Sequence, residues 1–174
     1  KDISSVIDAL HNWNKNSFLA NHLDVSKIGV LGHSQGGSAV GQAILDDNRI
    51  FAGINLDGIQ WGNIIDTTLT KPFLYISSDW KSPHPNFNKY AYQNGSSSIF
   101  YDAKIINSGH SSFMDIPLMV NIPTLNEGGT INKKEAFRII NKTVISFFDN
   151  HLKNKENDLL KLKEEFSYLE ISIK

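Results

Sequence analysis

The run from Ile28 to Leu45 constrains this chain more than any other stretch. Small and apolar residues, Ile28 to Leu31, lead straight into Gly32-His33-Ser34-Gln35-Gly36-Gly37, and helix-compatible residues from Ala39 to Leu45 follow at once. That is the grammar of strand, sharp turn and helix, the G-x-S-x-G turn that presents a serine for acyl transfer. The turn is strained, so side chains at 32 and 36 are expected to collide with the strand and helix packed there, which explains glycine at both. A bare G-x-S-x-G arises by chance in roughly one chain of this length in twenty, given ordinary glycine and serine usage. The flanking apolar residues, not the three letters, carry the argument.

The strand grammar repeats along the chain. Apolar runs at Lys27–Leu31, Phe51–Leu56, Pro72–Ser77 and Ser98–Ile106 read as strands, with Pro72 at an entry where its missing N–H does little harm. Helical spacing marks residues 2–14 through Ile3, Val6, Ile7, Leu10 and Trp13, then Ser34–Asp47 after the turn. A long helix follows at Lys133–Lys153, with Ala136, Phe137, Ile140, Val144, Phe147, Phe148 and Leu152 as its buried face. Residues 79–97 read as a loop with a short helix near Phe87–Gln93, and 62–71 as a connection with a helical turn. Residues 154–174 read as a peripheral C-terminal extension, with a small helix and a terminal strand at Leu169–Ile173. Alternating strands and helices, each strand nearly all apolar, predict an α/β architecture: a mostly parallel sheet with helices on both faces.

In such sheets functional groups gather after the strands' C-terminal ends. Here those positions hold Ser34, Asp57, Asp79 and His110. A serine hydroxyl needs a base in reach, itself oriented by a carboxylate, and behind a turn of this kind the chain order is serine, acid, histidine. His11, His22 and His33 precede the serine and drop out; His33 is expected to pack beneath the turn. His151 reads as decoration on the last long helix. His84, in Ser-Pro-His-Pro, suits a rim position, so His110 is the favoured base. Asp57 and Asp79 both follow strands and either can reach the imidazole; each also suits an ordinary turn. Asp102 falls within a strand and is poorly placed.

Composition narrows the partners. Lys plus Arg is 17 and Asp plus Glu is 18, a formal net charge of −1, so there is no electrostatic footprint for nucleic acid. No apolar run approaches the ~18 residues of a membrane span. With no cysteine, disulfides and thiol chemistry are excluded, and the compartment stays open. The chemistry calls for no metal and no organic cofactor.

Together these residues resemble the platelet-activating factor acetylhydrolase family of α/β-hydrolases, the plasma-type, lipase-like enzymes and their bacterial relatives. The resemblance rests on Gly32-His33-Ser34-Gln35-Gly36-Gly37, Ile54-Asn55-Leu56-Asp57-Gly58, Lys71-Pro72-Phe73-Leu74-Tyr75-Ile76 and Ser108-Gly109-His110-Ser111-Ser112-Phe113-Met114-Asp115, and spans roughly residues 2–150. It implies an α/β-hydrolase fold lacking its N-terminal strands, with residues 1–153 the C-terminal part of the domain. It also implies that the acid directly follows the strand after the turn's helix, which selects Asp57 over Asp79. Trp61 and Phe113, just past acid and base, then become candidates for an acyl-pocket wall, with plain core packing as the competing reading. The implied activity is hydrolysis of short acyl esters on phospholipid or other small-molecule lipid esters. A broader carboxylesterase acting on polyesters or plant esters keeps the same triad, and a non-catalytic binding protein of the same fold is the rival of a different class. The resemblance places one of two oxyanion donors upstream of Lys1, leaving the Gln35 N–H. The chain is therefore expected to carry the triad yet turn over poorly alone, with strand Lys27–Leu31 exposing an edge.

Overall fold

Five strands form one sheet in the computed structural model, which describes residues 1–79, 99–120, 129–156 and 159–173. Strands β1 (Ile28–His33), β2 (Ile50–Leu56), β3 (Phe73–Ser78) and β4 (Phe100–Ile105) lie side by side in chain order and run parallel; β5 (Leu169–Ile173) joins β4 antiparallel. Parallel neighbours need crossovers, and a helix supplies the one between β1 and β2. Helix α1 (Asp2–Asn16) precedes β1, α2 (Gln35–Asp46) links β1 to β2, α3 (Ile116–Met119) is a single turn, and α4 (Lys133–Lys153) is the long helix. A last short helix, α5 (Leu162–Glu165), leads to β5. The short helix expected near Phe87–Gln93 lies outside the described residues.

The pleat of the sheet sorts its apolar residues into two cores. Ala52, Ile54, Leu56, Leu74, Ile76, Ala103 and Ile105 pack on one face against α4 through Ala136, Ile139, Ile140 and Phe147. Ile50, Phe73 and Phe100 pack on the other against Ile7 of α1 and Val40, Ala43 and Ile44 of α2. Both faces are covered, which is why β2 reads as an unbroken apolar run rather than an alternating one. Arg49 ties the second layer together: its guanidinium pairs with Asp8 of α1 at 2.6 Å and with Asp47, the α2 cap, at 2.7 Å. The Arg49 hydrogen bond holds the Asp47 carboxyl well below the usual carboxylate range.

Several sequence expectations shift here. The first strand runs on through Gly32 and His33, because the chain stays paired with β2 until the residue before the serine. In α4 the expected face holds at Ala136, Ile140, Val144, Phe147, Phe148 and Leu152 but not at Phe137, which is 44% exposed; Ile139, Thr143 and Ser146 are buried beside it. His151 is no surface decoration. Its ring sits 4.7 Å from Phe147 and 5.6 Å from Tyr101 between centroids, and burial lowers its pKa. The segment after 153, read as peripheral, contributes Leu159, Leu162, Phe166, Leu169 and Ile171 to the larger core. Among the described residues no helix is long and apolar enough to cross a membrane.

Candidate active site

Register decides which side chains meet. His33 of β1 pairs with Leu56 of β2, and Leu56 with Ile76 of β3, so Ser34 and Asp57 each stand one residue past paired strand ends. Strand β3 continues two residues further, to Ser78, which pairs with Ile105 of β4. The loop after β4 then delivers His110. All four groups therefore sit at one edge of the sheet, at its C-terminal end.

Ser34 occupies φ 58°, ψ −124°, a region non-glycine residues rarely adopt, and its N–H donates to the Leu56 carbonyl at 2.9 Å. It stands at the N-cap of α2, where a serine ordinarily spends its hydroxyl on the helix's first N–H groups. Here it makes no such bond. Ser34 as a residue is half-buried. The close packing expected around the turn holds at Gly32, where a Cβ would fall on the Gly36 carbonyl. It fails at Gly36, where a Cβ meets nothing within 4 Å; the crowded second glycine is Gly37, facing the Asn55 amide.

Asp57 is also left-handed, at φ 53°. Three hydrogen bonds to Ile76 and Ser78 fix it. Its N–H donates to Ile76 O at 2.8 Å, the Ser78 N–H donates to Oδ1 at 2.8 Å, and the Ser78 hydroxyl donates to Oδ2 at 2.8 Å. The same Oδ2 lies 2.7 Å from His110 Nδ1. The pair is well shielded, with side-chain exposure of 10% for Asp57 and 29% for His110. With Nδ1–H donating to the carboxylate, the other ring nitrogen is left as the acceptor a general base needs.

His110 begins a short 3-10 turn, His110–Phe113, and rests on the residue beside the serine: its ring centroid is 4.4 Å from that of His33. His33 in turn stacks on Phe113 at 5.9 Å, so His33 packs at the turn as expected. Among the described residues no hydrogen bond joins the Ser34 hydroxyl to His110. Gln35 is the first residue of α2, so its N–H points out of a helix N-terminus, where negative charge is favoured.

The remaining candidates fall elsewhere. Asp79 does not meet His110 Nδ1; its carboxylate pairs with Lys104 at 2.6 Å and accepts the Asn107 N–H at 2.9 Å. Asp102 lies within β4, as expected. Phe113 packs against the larger core and Trp61 is 56% exposed; neither placement requires an acyl wall. His84 lies outside the described residues. No group of metal-ligating side chains occurs among the described residues.

Three supporting residues escape a reading by motif. Asn55 is fully buried in β2; its amide accepts from the Gly58 N–H at 2.8 Å and donates to the Gly58 carbonyl at 3.0 Å, closing the turn that carries Asp57. Gln60, also fully buried, donates to the Ser38 and Trp61 carbonyls at 3.0 and 2.8 Å, joining that turn's exit to α2. Ser78 is the third. The available signal was polarity in the wrong place: Asn inside an apolar strand, and Gln between Ile59 and Trp61.

The platelet-activating factor acetylhydrolase, isoform II, family model matches residues 1–166. A probable 1-alkyl-2-acetylglycerophosphocholine esterase of Arthroderma benhamiae is 50% identical over 54 residues, 29% of this chain and 14% of that protein. A platelet-activating factor acetylhydrolase of Gallus gallus is 26% identical over 165 residues, 90% of this chain and 38% of that one. Among solved structures, a ferulic acid esterase from Streptomyces cinnamoneus superimposes with a TM-score of 0.85 at 26% identity, covering 98% of this chain and 52% of that chain. The chain thus has the α/β-hydrolase fold and spans 38% or less of the length of these two curated relatives.

Proposed function

This chain belongs to the platelet-activating factor acetylhydrolase, isoform II, family, and from that membership and the strand-end geometry we propose that it carries the acyl-transfer machinery of a serine carboxylic-ester hydrolase. The observation that carries the reading is the 2.7 Å contact between His110 Nδ1 and Asp57 Oδ2, beside a serine held in a strained turn.

In the proposed reaction the far nitrogen of His110 takes the Ser34 proton as Oγ attacks the ester carbonyl. The Gln35 N–H donates to the oxyanion, which the start of α2 also favours electrostatically. His110 then hands its proton to the leaving alcohol, and the acyl group stays on Ser34. Water, deprotonated by the same imidazole, attacks the acyl-enzyme; the acid leaves and Ser34 recovers its proton. Asp57 keeps the Nδ1–H tautomer and stabilises the imidazolium that forms twice in the cycle. No step asks for a metal or organic cofactor.

For substrate, the names of the chicken and fungal relatives support a short acyl group on a phospholipid. The second reading, a broader carboxylesterase for plant-type or polyester substrates, draws on the ferulic acid esterase likeness over 98% of the chain. A panel of short-acyl phospholipid, feruloyl and p-nitrophenyl esters separates them. The first reading expects kcat/KM at least about tenfold higher on the phospholipid ester, the range one or two pocket contacts supply. A preference for the feruloyl ester would move the assignment to the second.

A further inference from the structure

Resting on that triad reading, we propose that Asp79 is a positioning residue for His110: it fastens the loop that carries the imidazole and takes no part as the acid. Asp79 stands one residue past β3, at a strand end where a carboxylate can serve a neighbouring histidine. Both of its oxygens are instead committed to the stretch just before His110. Oδ2 accepts the Asn107 N–H at 2.9 Å, and Oδ1 pairs with Lys104 of β4 at 2.6 Å. The Asp79 N–H closes the ring by donating to the Ser108 carbonyl at 3.2 Å.

The loop needs such a fastening. Asn107 is left-handed, at φ 61°, so the chain reverses there with strain. Its carbonyl accepts from the Thr130 and Ile131 N–H groups at 2.7 and 2.9 Å, and the Ser108 hydroxyl donates to Ile105 O at 2.7 Å. Asp79 supplies the attachment on the β3 side, three residues before the base. A triad tolerates little displacement: a shift near 1 Å costs on the order of 10²-fold in rate. Asp57 and Asp79, which the sequence alone leaves as alternatives, thus divide the work. One holds the ring, the other holds the loop.

Three variants of the whole chain test this: Asp79→Ala, Asp79→Asn and Asp57→Asn. Two readouts apply, the low-field Nδ1–H resonance of His110 in ¹⁵N-labelled protein and the rate at which a fluorophosphonate labels Ser34. Asn at 79 keeps an oxygen for the Asn107 N–H, so Asp79→Asn should hold both readouts within about threefold of the parent. Asp79→Ala should shift or broaden the resonance and slow labelling about 10–100-fold, an order set by the positional tolerance of such sites. Asp57→Asn should abolish the resonance.

A resonance lost in Asp79→Asn but kept in Asp57→Asn would make Asp79 the acid and overturn the proposal. So would an unmoved resonance in Asp79→Ala, even with a lower melting temperature, since that assigns Asp79 to stability alone. The resonance requires no turnover. Failure of the triad reading is therefore seen separately, as absent labelling of Ser34 beside an intact His110 signal.

Discussion

The Ser34 backbone at φ 58° costs about 1–3 kcal/mol by the usual measure of such strain, and the surrounding contacts must over-determine it. Gly37 and Asn55 supply part of that constraint, packed without room for a methyl group between them. Gly37→Ala should therefore cost about 1–3 kcal/mol of stability, the range for overpacking a filled site, read by urea unfolding. Gly36→Ala, where a Cβ meets nothing, should be neutral or stabilising by up to about 1 kcal/mol in the same measurement, since alanine suits a helix better than glycine. Ser78 is the second residue whose part is specific. Ser78→Ala removes one donor from Asp57 while the Ser78 N–H continues to hold the other oxygen. Labelling of Ser34 should slow by about tenfold, roughly the worth of one hydrogen bond to a charged group, with fluorophosphonate kinetics as the check. An unchanged rate would show that the backbone donor suffices. Ser34 and His110 were legible from motif and chain order, and Asp57 needed the family resemblance. Asn55 and Ser78 were not legible, because their partners are backbone and carboxylate groups brought close only by strand register.

At the scale of elements, the four parallel strands and the three longer helices could be read because each keeps its own period and clear breakers. The α4 face was misjudged at Phe137 because Ile139, Thr143 and Ser146 offered a competing stripe, two of them polar. Phe147, on the expected face, is fully buried against β4. Phe147→Ala should cost about 3–5 kcal/mol, measured by chemical denaturation. His151, one turn further along, carries a pH dependence. Burial holds its folded pKa below the ordinary value of 6.5, so the unfolded chain takes up the proton first as pH falls. Its contribution to stability is full above about pH 6.5 and is lost as pH drops through that value toward the folded pKa. His151→Phe should flatten this part of the melting temperature profile between about pH 7 and 5. An identical slope in the variant would place the acid sensitivity elsewhere. The C-terminal segment was misread for a different reason: its leucines are dotted among charges, and only pairing with β4 shows that Leu169 and Ile171 face inward.

Across the whole molecule, the sheet is unequal at its two ends. β4 is covered by β5, whereas β1 pairs only with β2 among the described residues and Leu31 is 50% exposed. Such an edge offers unpaired N–H and C=O groups to any strand that approaches. The 174-residue chain should associate with rising concentration in light scattering, and Leu31→Lys should reduce that association. Fluorophosphonate labelling with peptide mapping of the modified residue reads out whether Ser34 is a nucleophile activated by His110 and Asp57. A single adduct on Ser34 is expected, lost in Ser34→Ala and strongly slowed in His110→Ala. Labelling that persists in Ser34→Ala, or proceeds undiminished without His110, would contradict it.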